Sequence, residues 1–303
     1  MGDDVMSTRE FLNLENGKVC LHIWEPEGEI EGLFQICHGM AEYIERYDGF
    51  ARELNKNGYL VYGTDHPGHG ESEGIRGHFA DKNGWEYLCR CNVFAADTVK
   101  ARYPGKKLTL MGHSMGSFIA RTIAARYPET ASDYIFMGTA GPNPAAGAGK
   151  VLANIMIPFA RRKENKFLGS LSTGVYGKAE KTYKTPLDWL NTQDDEVQKY
   201  IADDGCGFFF TTAGYRDLMT GLTFISTQKW AEMLDKSKRY LLVSGDRDPV
   251  GDMGKGVKVV FARMKEAGLD AQMILYDGYR HEILNDVCKE KVTSDILAFL
   301  GGK

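Results

Sequence analysis

The GHSMG pentapeptide at residues 112–116 constrains the fold of this chain more than any other stretch. The apolar run at 108–111 predicts a buried strand before it, and apolar residues at helical spacing predict a helix over 115–127 after it. A G-x-S-x-G sequence that joins a strand to a helix places its serine on a strained turn, with the hydroxyl above the sheet edge. We expect Gly112 and Gly116 where close packing leaves no room for a Cβ.

The remainder of the chain alternates strand-like and helix-like segments. Strands are predicted at 9–14, 18–25, 33–37, 59–63, 108–111, 134–137, 240–244 and 271–276, and helices at 43–57, 85–103, 115–127, 223–234, 254–268 and 284–300. This pattern predicts an α/β fold with a mostly parallel eight-stranded sheet and helices on both faces. Asn16-Gly17 predicts a hairpin that places the first two strands as an antiparallel edge.

The alternation is interrupted between residues 141 and 220. Residues 141–149 are rich in glycine, proline and alanine and are interpreted as turns, and 150–160 as a short apolar helix. We interpret 141–220 as a helical lid inserted into an α/β core made of residues 1–140 and 221–303. The lid is expected to lie over the carboxyl ends of the strands.

Composition excludes several classes of function. A formal net charge of −4 and a pI near 6.0 argue against nucleic-acid binding, which needs a basic surface. The six cysteines are Cys20, Cys37, Cys89, Cys91, Cys206 and Cys288. They form no C-x-x-C pair, so we expect reduced thiols in the core. No zinc-ligand pattern and no dinucleotide fingerprint is found, which predicts neither a metal nor a cofactor.

The N-terminal stretch at 1–11 is acidic and lacks an apolar segment, which argues against a signal peptide. No run of about 18 apolar residues predicts a membrane-spanning helix. A cytoplasmic protein is therefore expected, and no oligomeric state follows from the sequence.

A serine hydroxyl needs a base, and the base needs an acid that orients it. In a parallel sheet such residues follow the carboxyl ends of strands. Asp246 and Asp248 follow the strand at 240–244, and His281 follows the strand at 271–276. The order Ser114, aspartate, His281 is the order of an α/β-hydrolase. Spacing alone leaves both aspartates open, since Asp246 is nearer the strand and Asp248 precedes a proline.

An oxyanion intermediate needs two backbone N–H donors. Met115, directly after Ser114 at the start of a helix, is the first candidate. Met40 is the second, because the His38-Gly39-Met40 loop follows the strand predicted beside that of Ser114.

Five sequence motifs are distributed along the chain. They are HGMAEYIERY, TDHPGHGESEG, MGHSMG, SGDRDPVG and GYRHEILND, in chain order. Together they resemble the monoacylglycerol lipase and lysophospholipase branch of the α/β-hydrolases over nearly the whole chain except the middle of the lid. The resemblance implies Ser114 as nucleophile and His281 as base, with Met40 and Met115 as oxyanion donors. It also implies Asp248 as the acid, because the aspartate of that family lies three residues after the strand-end glycine.

We therefore expect a serine carboxylic-ester hydrolase that cleaves acyl esters of small alcohols or lysolipids. Ile155, Met156 and Phe159 of the lid helix and His113 beside the serine are expected to contact the substrate. The basic residues 161–163 suggest a transient contact between the lid and a membrane surface. The alternatives are a small-ester esterase, a perhydrolase or an amidase of the same fold, or a non-enzymatic small-molecule binder.

Overall fold

The computed structural model of the protein describes residues 7–301. Residues 1–6, on which the signal-peptide prediction partly rests, lie outside the described residues. The strands are β1 (Thr8–Leu14), β2 (Gly17–Trp24), β3 (Gly32–Cys37), β4 (Tyr59–Thr64), β5 (Leu108–His113), β6 (Asp133–Met137), β7 (Arg239–Gly245) and β8 (Asp270–Tyr276). They form one eight-stranded sheet in the order β1-β2-β4-β3-β5-β6-β7-β8.

The direction of the strands matches the expectation. β2 pairs antiparallel with both β1 and β4, whereas the five pairings from β4 across to β8 are parallel. The predicted α/β fold, with a mostly parallel sheet and an antiparallel edge, is confirmed. Parallel strands place their carboxyl ends at one edge, which is where the candidate site residues lie.

Ten α-helices are described within residues 7–301. They are α1 (Asp48–Asn55), α2 (Gly84–Arg102), α3 (Met115–Arg126), α4 (Ala145–Ala160), α5 (Lys166–Ser172), α6 (Asp194–Ala202), α7 (Thr212–Ile225), α8 (Gln228–Glu232), α9 (Lys255–Glu266) and α10 (Lys289–Leu300). Helices α2, α3, α7 and α9 contribute to the core on one face of the sheet, and α1 and α10 to the core on the other. Successive residues of β5 face opposite cores, as Leu110 and Met111 show, so its apolar run is buried on both sides.

The two glycines of the pentapeptide stand where the packing leaves no space. A Cβ on Gly116 would lie 1.9 Å from the carbonyl oxygen of Cys37 in β3, and one on Gly112 would lie 2.0 Å from that of Gly116. Both distances are far shorter than any van der Waals contact. The close approach of α3 to the sheet therefore requires glycine at both positions, as the sequence predicts.

Several predicted helix boundaries are wrong. The segment at 43–57 is a short 3₁₀ helix, Ile44–Tyr47, followed by α1. The helix expected at 223–234 is two helices, because α7 ends at Ile225 and α8 begins at Gln228. The last helix begins at Lys289 instead of 284. Boundaries depend on tertiary contacts and caps that periodicity does not record.

The region between β6 and β7 contains α4 to α8. Its first helix begins at Ala145, so the interpretation of 145–149 as turns is wrong; the alanines and glycines there are held in a helix that packs along α7. Helix α7 also packs against α2 and α3 of the core. The predicted lid boundary after residue 220 falls inside α7, and the division into core and lid stays a prediction. Within residues 7–301, no helix combines the length and the apolar character needed to cross a bilayer.

Candidate active site

Ser114 occupies the turn between β5 and α3. Its backbone has φ 53° and ψ −122°, a left-handed conformation that a non-glycine residue adopts only under constraint. The Ser114 N–H donates to the Met137 carbonyl at 3.0 Å, and Ser117 Oγ donates to the Ser114 carbonyl at 2.6 Å. These bonds fix the turn, and Ser114 lines a cavity at the carboxyl edge of the sheet.

His281 and Asp248 form a buried pair beside this serine. The distance between His281 Nδ1 and Asp248 Oδ2 is 2.8 Å, and the two side chains are 2% and 0% exposed. The Val250 N–H donates to the other carboxylate oxygen at 2.9 Å. His281 lines the cavity together with Ser114. Because Nδ1 contacts Asp248, Nε2 is the ring nitrogen that is available to a group in the cavity.

Asp246 and Asp248, the two candidates for the orienting acid, have different surroundings. Asp246 Oδ1 accepts a hydrogen bond from the Gly278 N–H at 2.8 Å and so braces the turn after β8. Asp248 is the one that contacts His281. The geometry thus gives Asp248 the position of the orienting acid that the resemblance implies.

The two expected oxyanion donors line the same cavity as Ser114. Among residues 7–301, neither the Met40 N–H nor the Met115 N–H donates to another protein group. Gly39, which precedes Met40, is close enough that a Cβ on it would lie 3.2 Å from Ser114 Cβ. Two residues of the cavity lining, one of them directly after Ser114, therefore have a backbone N–H without a partner among the described residues, as an oxyanion site needs.

A buried ionic network that the sequence analysis did not single out connects these loops. Glu42 Oε1 accepts from the Gly39 N–H at 2.5 Å and from Tyr47 OH at 2.9 Å. Arg46 Nη1 donates to Glu42 Oε2 at 2.5 Å and to Glu282 Oε1 at 2.6 Å. Arg46 therefore ties the loop of Met40 to the residue after His281. The four-residue spacing of Glu42 and Arg46 was the signal that could have indicated this pair.

His113 lies within this network and does not stand free in the cavity. Its Nδ1 is 2.8 Å from Tyr47 OH and 3.4 Å from Glu42 Oε1, and its Nε2 is 3.3 Å from the His281 carbonyl. Burial alone would lower the pKa of His113, but the hydrogen bond and charge of Glu42 outweigh it and raise the pKa. His113 lines the cavity, and its contacts position the backbone of His281.

A second cluster, of three buried histidines, supports the loop of Met40. The His66 N–H donates to His38 Nε2 at 2.9 Å, and the rings of His38 and His66 are 3.9 Å apart. Burial lowers the pKa of His38 to about 3 and that of His69 to about 4. These rings are therefore neutral in the folded protein near neutral pH.

The cavity has a volume of about 720 Å³, within the range of small-molecule sites. Besides Ser114 and His281, its lining includes Met40 and Met115. Its apolar lining residues include Phe118, Leu187, Phe208, Leu218, Leu222 and Val259. A largely apolar cavity that leads to one polar corner suits a substrate with an apolar chain and one reactive polar group.

The three lid residues expected to contact the substrate lie elsewhere. Ile155 and Phe159 are 64% and 84% exposed, and Met156 is half-buried with its sulfur near Asn165; none of them lines the cavity. The buried residues of α4 include Ala153 and Ile157. Helix α4 is apolar around most of its circumference, so periodicity could not indicate which side faces inward.

Comparison with known proteins agrees with this geometry. Residues 28–287 match the family described as Serine aminopeptidase, S33. A monoacylglycerol lipase of Mycolicibacterium smegmatis is 26% identical over 99% of both chains. The monoglyceride lipase of Homo sapiens is 31% identical over 92% of this chain and 87% of its own. A crystal structure of a thermostable carboxyl esterase from Bacillus coagulans has a TM-score of 0.93, with 27% identity over 98% of this chain and 99% of that one.

The buried histidines predict a loss of stability in acid. The pKa of histidine in the unfolded chain is about 6.5, whereas burial lowers the pKa of His69 to about 4 in the folded chain. Between these values the unfolded state binds the extra proton, so the free energy of unfolding falls as the pH drops. Replacing His69 by Gln should reduce this slope by about 1.4 kcal/mol per pH unit between roughly pH 6 and 5. Urea unfolding at a series of pH values measures it.

The matched control is His113→Gln. The pKa of His113 is raised, so its contribution to stability is present at low pH and is lost as the pH rises. This variant should therefore not reduce the acid slope. An unchanged slope in His69→Gln would contradict the prediction.

Proposed function

This chain belongs to the serine aminopeptidase S33 family and is an ester hydrolase, and we propose that its substrates are acyl esters of small alcohols or lysolipids, as for a monoacylglycerol lipase. One observation supports this most directly. Ser114 on its strained turn and His281, whose Nδ1 contacts the buried Asp248, line the same apolar cavity.

The proposed mechanism uses an acyl-enzyme. His281 Nε2 removes the proton from Ser114 Oγ as this oxygen attacks the ester carbonyl, while Asp248 keeps the proton on Nδ1 and stabilises the imidazolium. The Met40 and Met115 N–H groups stabilise the resulting oxyanion. His281 then protonates the leaving alcohol, and the same groups activate water to release the acid.

The cavity favours an ester over the free amino terminus of a peptide. A substrate ammonium group needs an unpaired carboxylate for recognition. Glu42 and Glu282 line the cavity but are both bound to Arg46, and the third lining carboxylate, Asp252, lies on an exposed turn. An aminopeptidase activity, which the family description names, is therefore the second candidate. Faster turnover of an aminoacyl anilide than of an octanoyl ester would establish it.

We also propose that the lid contacts a lipid surface through its outward side. Val151, Ile155 and Phe159 form a stripe at four-residue spacing on α4, and all three are exposed. Exposed apolar residues in a contiguous stripe are typical of an interaction surface. The basic residues predicted for this role are partly engaged, because Arg162 pairs with Asp81. Apolar contact is thus the main attraction.

Acyl-chain length tests the proposed substrate class. We expect kcat/KM to rise at least about tenfold from acetyl to octanoyl p-nitrophenyl esters, since each buried CH₂ contributes about 0.8 kcal/mol. Leu222→Trp, which adds bulk to the cavity lining, should remove most of this rise and keep acetyl turnover. Ile155→Trp is the control, because Ile155 points outward. A preference for acetyl esters in the unaltered protein would overturn the proposal.

Substitution of the candidate triad tests the mechanism. Ser114→Ala and His281→Ala should each lower kcat about 10⁴-fold or more, because the members act as a unit. Asp248→Asn should lower kcat by a similar order, since an amide favours the wrong imidazole tautomer. Asp246→Asn is the matched control, and its esterase kinetics should stay within about threefold of the parent. The reverse ranking of the two aspartates would refute the assignment.

Vesicle flotation tests the lid surface. Phe159→Asp should lower partition onto phosphatidylcholine vesicles at least about fivefold, because burial of one phenyl ring is lost. Phe11→Asp is the control, since Phe11 is also exposed, at 50%, but lies on edge strand β1. Equal loss in both variants, or no loss in Phe159→Asp, would contradict a lid-specific contact.

A further inference from the structure

Three potential metal ligands converge on the antiparallel side of the sheet, away from the residues of the proposed reaction. Cys20 and His22 are two residues apart on β2 and point to the same side, and Asp65 directly follows β4. Cys20 Sγ is 3.3 Å from His22 Nε2, which is 3.2 Å from Asp65 Oδ2. All three side chains are at most 1% exposed.

This arrangement does not have the geometry of a second nucleophile. In a catalytic cysteine or serine relay, the nucleophile and the acid contact opposite nitrogens of the histidine ring. Here Sγ and the carboxylate both approach Nε2, which can carry only one proton. The three donor atoms instead form a compact group, with all of them within 4.8 Å of one another.

We propose that Cys20 Sγ, His22 Nε2, Asp65 Oδ2 and Glu71 Oε2 bind one zinc ion. A tetrahedral zinc ion with Zn–S near 2.3 Å and Zn–N and Zn–O near 2.0–2.2 Å places its ligands about 3.4–3.6 Å apart. The Sγ–Nε2 and Nε2–Oδ2 separations lie within about 0.3 Å of that range. Sγ and Oδ2 lie within 4.8 Å of each other, and a rotation of the Cys20 side chain brings them to the separation that the ion requires. Glu71 Oε2 is 3.8 Å from Cys20 Sγ and supplies the fourth ligand with a small side-chain movement. Binding releases the thiol proton of Cys20 to solvent.

Neighbouring groups already hold these ligands in place. His22 Nδ1 is 3.1 Å from Ser7 Oγ, which orients the ring as the outer partners of zinc-bound histidines do. Asp65 accepts from the Ile44 N–H at 2.9 Å and from the Glu71 N–H at 2.8 Å. The carboxylate is thus fixed before any ion arrives.

The charges are largely balanced. A thiolate and two carboxylates supply three negative charges, and the zinc ion supplies two positive ones. Arg9 offsets part of the remainder, because its Nη1 is 2.5 Å from Glu71 Oε1 while its Nη2 is 2.6 Å from Glu45 Oε1. Arg9 is 32% and Glu71 44% exposed, so the site lies one side chain below the surface and an ion can enter there.

A zinc ion here would cross-link β2 to the loop after β4. That loop includes His66 and His69, which pack against His38 beside the loop of Met40. The role is structural, since the site does not line the cavity. The sequence analysis missed it because a C-x-H pair alone is no zinc pattern, and only the pairing of β2 with β4 brings Asp65 to it.

Elemental analysis and cobalt spectroscopy test the site on the full chain. The purified protein, loaded with zinc and dialysed, should retain one zinc ion per chain and show a Tm rise of ~5 °C over the chelator-treated protein. Replacing zinc by Co²⁺ should give a thiolate charge-transfer band and visible bands of tetrahedral cobalt. Cys20→Ala should lose the bound ion and the charge-transfer band, whereas Cys288→Ala, a buried cysteine elsewhere, should keep both. No bound zinc in the parent, or the same band in Cys20→Ala, would overturn the proposal.

Glu71→Gln provides a second, milder test, because Glu71 is partly exposed and the variant should fold even if Cys20→Ala does not. Loss of a ligand carboxylate should weaken zinc affinity at least about tenfold, measured by competition with a chromophoric chelator. Unchanged affinity would overturn the four-ligand site.

Discussion

The close contact between the start of α3 and strand β3 is the constraint on which the candidate site depends. With no side chain on Gly116, the helix approaches until only 1.9 Å would separate a Cβ from the Cys37 carbonyl. This contact places the Met115 N–H next to the loop that follows β3, where Met40 lies. One packing contact thus brings the two candidate donor segments together beside Ser114.

A second interaction holds the two halves of the site in register. Arg46 joins Glu42, on the loop of the candidate oxyanion donor Met40, to Glu282, beside His281. Buried ion pairs contribute little net stability because desolvation offsets their attraction, but a broken pair is costly. The intact network therefore adds little to the free energy of unfolding. Moving either loop away would break the network at a high cost in free energy, so both loops are held in position. His113 adds to it through its contacts with Glu42 and the His281 carbonyl.

The sequence pattern of the proposed lid does not predict which side of helix α4 faces inward. Helix α4 has apolar residues on nearly every side, and the expectation that Ile155 and Phe159 face the substrate was wrong. Helix α4 packs along α7 with Ala146, Ala153 and Ile157 buried, and this orientation leaves Ile155 and Phe159 exposed. The apolar lining of the cavity comes instead from residues such as Phe118 and Leu222 on α3 and α7. Only packing distinguishes the two sides.

The sequence by itself determined the alternation of strands and helices in a mostly parallel α/β sheet, its antiparallel edge, the strained turn at Ser114 and the candidacy of His281. These follow from local periodicity, glycine chemistry and the rule that functional residues follow parallel strands. Spacing left Asp246 and Asp248 as alternatives, and the resemblance favoured Asp248. The tertiary structure decided that Asp248 contacts His281, that Arg46 bridges two loops, and that Asp65 meets Cys20 and His22. Each of these depends on residues distant in the chain, whose meeting is set by strand pairing and packing and not by local pattern.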